Sequence, residues 1–261
     1  MTTPRHPGRT TLRLLVGLLV LLAAGASSAA EPERPAPLPI LDPDKEGLEL
    51  ATRLQTAAPE RNDEFHGVLE ITPRPGAATV RIPIRSRLNL TSTNWQVVYE
   101  TSPPPGRENE KEILTILHSP NGPNSYLFVQ GTNVDATGLL TAPFAGSDFW
   151  LQDLGLEFFH WPKQRAIRAE MSRGQPCRVL ESVQSHPPAG GYSRVVSWID
   201  LETGGVLQAE AYDAGNSRPM KKFSLGSFER VKGQMHLRDM KIRNLRTGSQ
   251  TELKIELHQK E

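Results

Sequence analysis

The residues of this chain that could do chemistry are seven histidines, one cysteine and scattered carboxylates. Beyond the first thirty residues the histidines are His66, His118, His160, His186, His236 and His258. Only the fold could bring two of them together, so no metal site is expected. A single cysteine, Cys177, rules out an intrachain disulfide framework and a cysteine-based zinc site. It starts a strand-like run and reads as a small buried residue. Asp148 and Asp153 form a carboxylate pair five residues apart. On a helix that spacing sets them well apart around the axis, which argues against shared acid–base work. Asp148 reads better as a helix N-cap. The chain has no G-x-S-x-G, H-E-x-x-H, phosphate-binding glycine loop or C-x-x-C. The expectation is a protein that is not an enzyme and needs no cofactor.

What the chain offers instead is apolar surface. Phe144, Phe149, Trp150, Leu151, Leu154, Leu156, Phe158, Phe159 and Trp161 crowd one short stretch. Such a stretch either plugs the core of a sheet or lids an apolar cavity. The two roles are compatible, because a lid is also a plug when the cavity is empty.

The elements that must position this stretch are mostly strands. In ATVRIPIRSRLNL, Val80, Ile82, Ile84, Leu88 and Leu90 fall on one face, and Arg81, Arg85, Arg87 and Asn89 on the other. Pro83 on the wet side suggests an edge or a bulge. Similar runs recur at about 64–72, 94–101, 111–118, 124–130, 176–187, 192–199, 205–213, 219–230, 234–246 and 249–258. Proline- and glycine-rich turns separate them. Eleven antiparallel strands are therefore expected. Residues 143–169 break the pattern as a helical excursion, with Ser147 or Asp148 capping a helix near Phe149. Before the strands, Leu50, Ala51, Leu54 and Ala57 make the apolar stripe of a helix over 45–58, with Asp42 or Asp44 as its cap.

Composition bounds the class. Of 261 residues, 37% are hydrophobic and 23% charged, as in ordinary globular domains. Thirty basic and 29 acidic residues give +1, with no basic excess for nucleic acid. Arg5, Arg9 and Arg13 precede the apolar run Leu14–Ala24, and small residues Ser28 and Ala30 follow. That is the layout of a signal peptide over 1–30, cleaved after Ala30. The apolar run, about 11 residues, is short of the roughly 20 that span a bilayer. Residues 31–42 hold four prolines and read as a linker, leaving 43–261 as the domain. The secreted chain is expected in the periplasm.

G-S-D-F-W-L-Q-D-L at Gly146–Leu154 resembles the G-S-D-F-x-x-x-D-L signature of outer-membrane lipoprotein-sorting proteins, the LolA-like superfamily. The downstream runs V-V-S-W-I-D at Val195–Asp200, V-L-Q-A-E-A-Y-D at Val206–Asp213 and F-E-R-V-K-G at Phe228–Gly233 are similar to the same family. The resemblance covers about residues 45–258, most weakly in the N-terminal third. It implies a mainly β, α+β fold: a half-open, strongly curved antiparallel β-barrel of about eleven strands, with short helices covering its concave face. It also implies a carrier that hides acyl chains of lipoproteins or other lipids, with membrane-bound donor and acceptor proteins as partners. The residues expected at the cavity or lid are Val80, Ile82, Ile84, Leu88, Trp95, Phe144, Phe149, Trp150, Leu154 and Trp198. The alternative is a lipid-sensing or protein-interaction module of the same fold in envelope-stress signalling.

Overall fold

A computed structural model describes residues 39–91, 93–119, 122–135, 140–231 and 234–256. The expected signal peptide and most of the proline-rich linker lie outside the described residues.

Asp42 begins the ordered architecture. Its Oδ1 accepts a hydrogen bond from Lys45 N (3.1 Å), and Pro43 needs no N–H in the first turn, so helix α1 runs Pro43–Thr56. Leu50 and Ala51 are the buried part of its stripe. Strands follow as β1 (Asp63–Thr72), β2 (Val80–Leu90), β3 (Trp95–Thr101), β4 (Glu112–His118), β5 (Ser125–Gln130) and β6 (Asn133–Asp135). After the segment that carries α2 (Leu151–Leu154) come β7 (Lys163–Ser172), β8 (Gln175–Val183), β9 (Arg194–Asp200), β10 (Val206–Tyr212) and β11 (Lys221–Leu225). A small ribbon of β12 (Phe228–Val231) and β13 (Gln234–Leu237) precedes β14 (Asp239–Asn244) and β15 (Gln250–Glu256).

Thirteen of these strands form one antiparallel sheet in the order β6-β5-β4-β3-β2-β1-β15-β14-β11-β10-β9-β8-β7. The protein is thus mainly β, with one large antiparallel sheet and few helices. Two runs of hairpins, β1–β6 and β7–β11, are stitched together by the chain's last two strands. Among the described residues the edges β6 and β7 are not paired with each other, and the sheet is not closed into a barrel.

Nine of the eleven expected strands correspond to single strands here. The other two, 219–230 and 234–246, each break in the middle. Gly226 marks one break: its N–H donates to Asp239 O (2.8 Å), and a Cβ there would fall 1.4 Å from Asp239 Oδ1. Only glycine fits that approach, and β12–β13 leaves the main sheet from it. Strands β6 and β7 were not expected. Residues 163–169, the greater part of β7, read as part of the helical excursion because a bulge between Ala166 and Arg168 breaks their alternation.

Alternation sets which side chains face inward. On β2, Ile84 and Leu88 are buried, whereas Arg81, Arg85 and Arg87 point outward to Glu70, Glu64 and Glu100. Val80 shares the inward parity but is 52% exposed, because it begins the strand beyond the packed core. Pro83 lies on a central strand, not an edge. It is tolerated because the β2–β3 pairing ends at Ile84–Thr101, one residue before it. Cross-strand partners extend the inner face through Leu69, Leu253, Ile242, Phe223 and Ala209.

Candidate functional site

Between β6 and β7 the chain crosses the inner face. Its middle is bracketed by two left-handed residues that are not glycine, Ala145 (φ 55°) and Leu156 (φ 51°), with Gly146 (φ 64°) beside the first. Such a conformation costs an L-residue about 1–2 kcal/mol, and the surroundings must hold it. A bridge between Pro143 and Trp150 and the single turn of α2 give this segment little ladder of its own.

Apolar contacts hold part of it. Phe144 and Phe149 are each 1% exposed, and Leu151 and Leu154 are buried in one cluster with Leu69, Ile84, Leu88, Val97, Leu114 and Leu253. Phe144 tilts against Tyr99, with ring centroids 6.2 Å apart. Further on, Phe158, Phe159 and Trp161 pack edge-on in a second cluster with Leu50 and Ala51 of α1.

Buried polar side chains hold the rest, and they come from strands across the whole sheet. On β4, Glu112 accepts from Ala145 N (2.6 Å) and from Gln130 Nε2 (3.0 Å). On β15, Thr251 Oγ1 accepts from Asp148 N (2.9 Å) and donates to Asp148 Oδ2 (3.0 Å), while Ser249 Oγ donates to Asp148 Oδ1 (2.6 Å). On β11, the Lys221 ammonium donates to Asp148 O (2.6 Å) and lies 3.5 Å from Asp153 Oδ2. It also sits 3.6 Å from the centre of the Trp150 ring. From β5, Tyr126 OH donates to Glu157 Oε2 (2.8 Å), and just before that strand Asn124 Nδ2 donates to Gly155 O (2.8 Å) and Glu157 Oε2 (3.2 Å). On β7, Gln164 Nε2 donates to the carbonyls of Phe158 and Trp161 (2.9 Å each).

Burial tunes several of these groups. It raises the Glu112 carboxyl and pushes Glu157 up to about 7, against the hydrogen bonds from Tyr126 and Asn124. It also raises Asp153 and lowers Lys221, although the attraction between the two opposes both changes. Nearby, His118 stacks on Trp95 at 3.6 Å and is driven down to about 3 by burial and by His160.

Asp148 and Asp153 divide their work differently from the N-cap expectation. Asp148 caps nothing; it pins the segment to β15. Asp153, the third residue of α2, reaches back to Trp150 N (2.8 Å) and also accepts from Tyr192 OH (3.1 Å). Ser147 Oγ accepts from Phe149 N (3.1 Å). The polar signature residues Ser147, Asp148 and Asp153 therefore each have a structural task.

The structure gathers Ile84, Leu88, Phe144, Phe149 and Leu154 into one buried cluster, with Ile82 and Trp95 partly buried against it. Trp150 is partly buried, stacked on Tyr192 at 4.7 Å. One expected residue stands outside the cluster, and another joins it from the other side of its strand. Val80 is exposed. Trp198 lies on the opposite face of β9 from Val195 and Ile199, with its indole N–H on Glu170 and Arg168 over its ring (5.4 Å). Both faces of β9 are buried, so the run Val195–Asp200 does not reveal which side carries Trp198. The residues sequence reading missed are Lys221, Tyr192, Thr251, Glu112 and Glu157. Three carried a signal: Lys221, Thr251 and Glu112 share the inward parity of Phe223, Leu253 and Leu114.

Under the segment lies a small apolar cavity of about 30 Å³, bounded by Phe149, Leu156, Phe158, Ala209, Lys221 and Phe223. It has room for a water molecule or two, far less than an acyl chain needs. A separate open cleft of about 1050 Å³ runs from Ile82 and Pro103–Pro105 to Glu112 and Ala145.

A family model described as "Uncharacterized protein" matches residues 97–260. No curated protein matches. Among solved structures, a DUF1329 family protein from Desulfovibrio piger superposes with a TM-score of 0.65 at 20% identity, over 82% of this chain and 92% of that one. A domain assigned to outer membrane lipoprotein sorting from Vibrio parahaemolyticus gives 0.65 at 18% identity, with the same coverage. A LolA superfamily protein from Nitrosomonas europaea gives 0.56 at 15% identity, over 83% and 92%. The resemblance carried by Gly146–Leu154 thus holds for the fold.

Proposed function

We propose, from the premise that this chain belongs to the family matched over residues 97–260 and shares its fold with lipoprotein-sorting structures, that it is a non-enzymatic periplasmic carrier of acyl chains. In this reading the thirteen-stranded sheet is a half-open barrel bent around the segment from Pro143 to Trp161. That segment is the lid. The inner apolar face is the binding wall, and lipoprotein acyl chains or other lipids are the cargo, received from and passed to membrane-bound partners.

One observation carries the reading: the segment over the inner face is bracketed by strained residues and is fixed by side chains rather than by a strand ladder. Such a segment can leave without breaking the sheet. Leaving is required for cargo to reach the wall beneath the segment, because the cavity there is too small for an acyl chain. The energetics make a carrier necessary for acyl cargo in water. At about 0.8 kcal/mol per CH₂, a chain of about 16 carbons costs roughly 10 kcal/mol to expose. The apolar parity positions of β1, β2, β14 and β15 supply the covering surface. Release is helped by the lid's return, since Phe149 and Leu154 compete with the acyl chain for the same wall.

Mass spectrometry of lipids that co-purify with the protein from an envelope extract tests this. Acyl-bearing species at near one per protein are expected. A preparation free of them that also takes up no fluorescent fatty acid would overturn the reading.

A further inference from the structure

Lys221 is out of place on an apolar wall. It occupies the inward parity of β11, paired with Ala211 on one side and Asn244 on the other. Its side chain is 2% exposed. Around it the cavity is lined by Ala209, Ala211, Phe223 and Ile242. A stable plug would be served there by leucine or methionine, since a buried ion pair seldom beats a packed apolar one.

The partners of the ammonium say what it could meet instead. Asp148 O, Asp153 Oδ2 and the Trp150 ring all belong to the lid. Tyr192, whose ring is 5.5 Å away, comes from the β8–β9 connection, and its hydroxyl is committed to Asp153. When the lid lifts, Lys221 stays on β11 and loses its carbonyl and its carboxylate together. An acyl chain that takes the lid's place covers the apolar wall but leaves the ammonium facing hydrocarbon. A buried ammonium without an acceptor is heavily penalised. An oxyanion restores what the lid removed, with a charge-assisted hydrogen bond.

We propose that Lys221 is a specificity-determining residue that selects acyl ligands whose polar end carries an oxyanion, a carboxylate or a phosphate, over neutral acyl ligands of equal length. This rests on the carrier reading and sharpens it. The ligand's anion takes the place of Asp153, so the lid carboxylate and the cargo compete for one cation.

Displacement of a fluorescent fatty acid from the full-length secreted chain tests the proposal. The competitors are palmitate, hexadecyl phosphate, methyl palmitate and hexadecanol. Palmitate or hexadecyl phosphate, or both, should displace the probe at concentrations at least ten-fold below the two neutral competitors. Whichever anion is stronger identifies the preferred head. Lys221→Met should erase the preference while methyl palmitate binds at least as well as before. Asp153→Asn, which keeps an acceptor for Trp150 N but removes the rival charge, should widen the preference. Equal displacement by charged and neutral competitors in the wild type would overturn the proposal and leave the carrier reading standing. A preference that survives Lys221→Met, or one that Asp153→Asn leaves unchanged, would also overturn it. Binding of no acyl probe at all would overturn both.

Discussion

Glu157 gives a measurable consequence of burying a carboxyl in the segment that crosses the inner face. Its carboxyl is largely buried and takes hydrogen bonds from Tyr126 OH and Asn124 Nδ2, yet burial raises it from its ordinary 4.5 to about 7. A raised folded-state value means the native state holds the proton more tightly than the unfolded chain does. The stability Glu157 contributes is therefore fully present below about pH 4.5 and is lost as pH rises through about 7. The difference between those values corresponds to about 3 kcal/mol. Glu157→Gln keeps the shape and an acceptor for Tyr126 but cannot ionise. The variant should match the wild type near pH 4.5 and exceed it by up to about 3 kcal/mol at pH 8. For a chain of this size that is roughly 2–4 °C of melting temperature per kcal/mol. Other groups titrate too. Buried His118, held down to about 3, contributes stability that is present above its ordinary 6.5 and lost as pH falls. The difference between wild type and variant at each pH cancels that background, provided His118 keeps its place. Denaturant titrations at pH 5, 6, 7 and 8 give the curve. A variant offset that stays flat with pH, or grows toward pH 5, would refute the reasoning.

Three further outcomes follow from packing. Gly155→Ala puts a Cβ 2.1 Å from Tyr126 OH, so the Tyr126–Glu157 hydrogen bond should break, with a loss of about 2 kcal/mol read by chemical denaturation. Ile84→Asp buries a carboxylate without a partner and should cost several times more than Arg85→Asp, about 3–5 kcal/mol against about 1; equal losses in one titration series would put the wrong face of β2 inward. Phe149→Ala should cost about 3–5 kcal/mol, whereas Trp150→Ala, at a half-buried stack on Tyr192, should cost less stability but weaken fatty-acid binding more.

Much of the sheet was legible because a strand with one wet and one dry face writes its alternation into the chain. Val80–Leu90 is the clearest case, and its arginines do meet Glu70, Glu64 and Glu100. Legibility failed where that rule lapses. In β9 both faces are buried, so its apolar run does not say which side carries Trp198. In β7 the bulge after Ala166 shifts the phase and disguises a strand as part of a helix. Gly226 interrupts a run through a single close approach to Asp239, which only three-dimensional neighbours reveal. The aromatic residues of the crossing segment announced themselves, but its polar clamps did not. Asp148 and Thr251 lie 103 residues apart, and Lys221 lies 73 from Asp148, so no local pattern joins them. Lys221 still left a trace, as one charge at the inward parity of an apolar strand.

The most direct test of the lid locks it shut. Asp148→Cys with Thr251→Cys puts one thiol on each of two side chains that now touch, Thr251 Oγ1 lying 3.0 Å from Asp148 Oδ2, while the native Cys177 is buried. Uptake of a fluorescent fatty acid is then measured for the oxidised and the reduced protein. The carrier reading expects the oxidised form to exclude the probe and the reduced form to bind it at least as well as the wild type. Equal uptake by the two forms, with the disulfide verified by mass, would contradict the claim that this segment must open for cargo to enter.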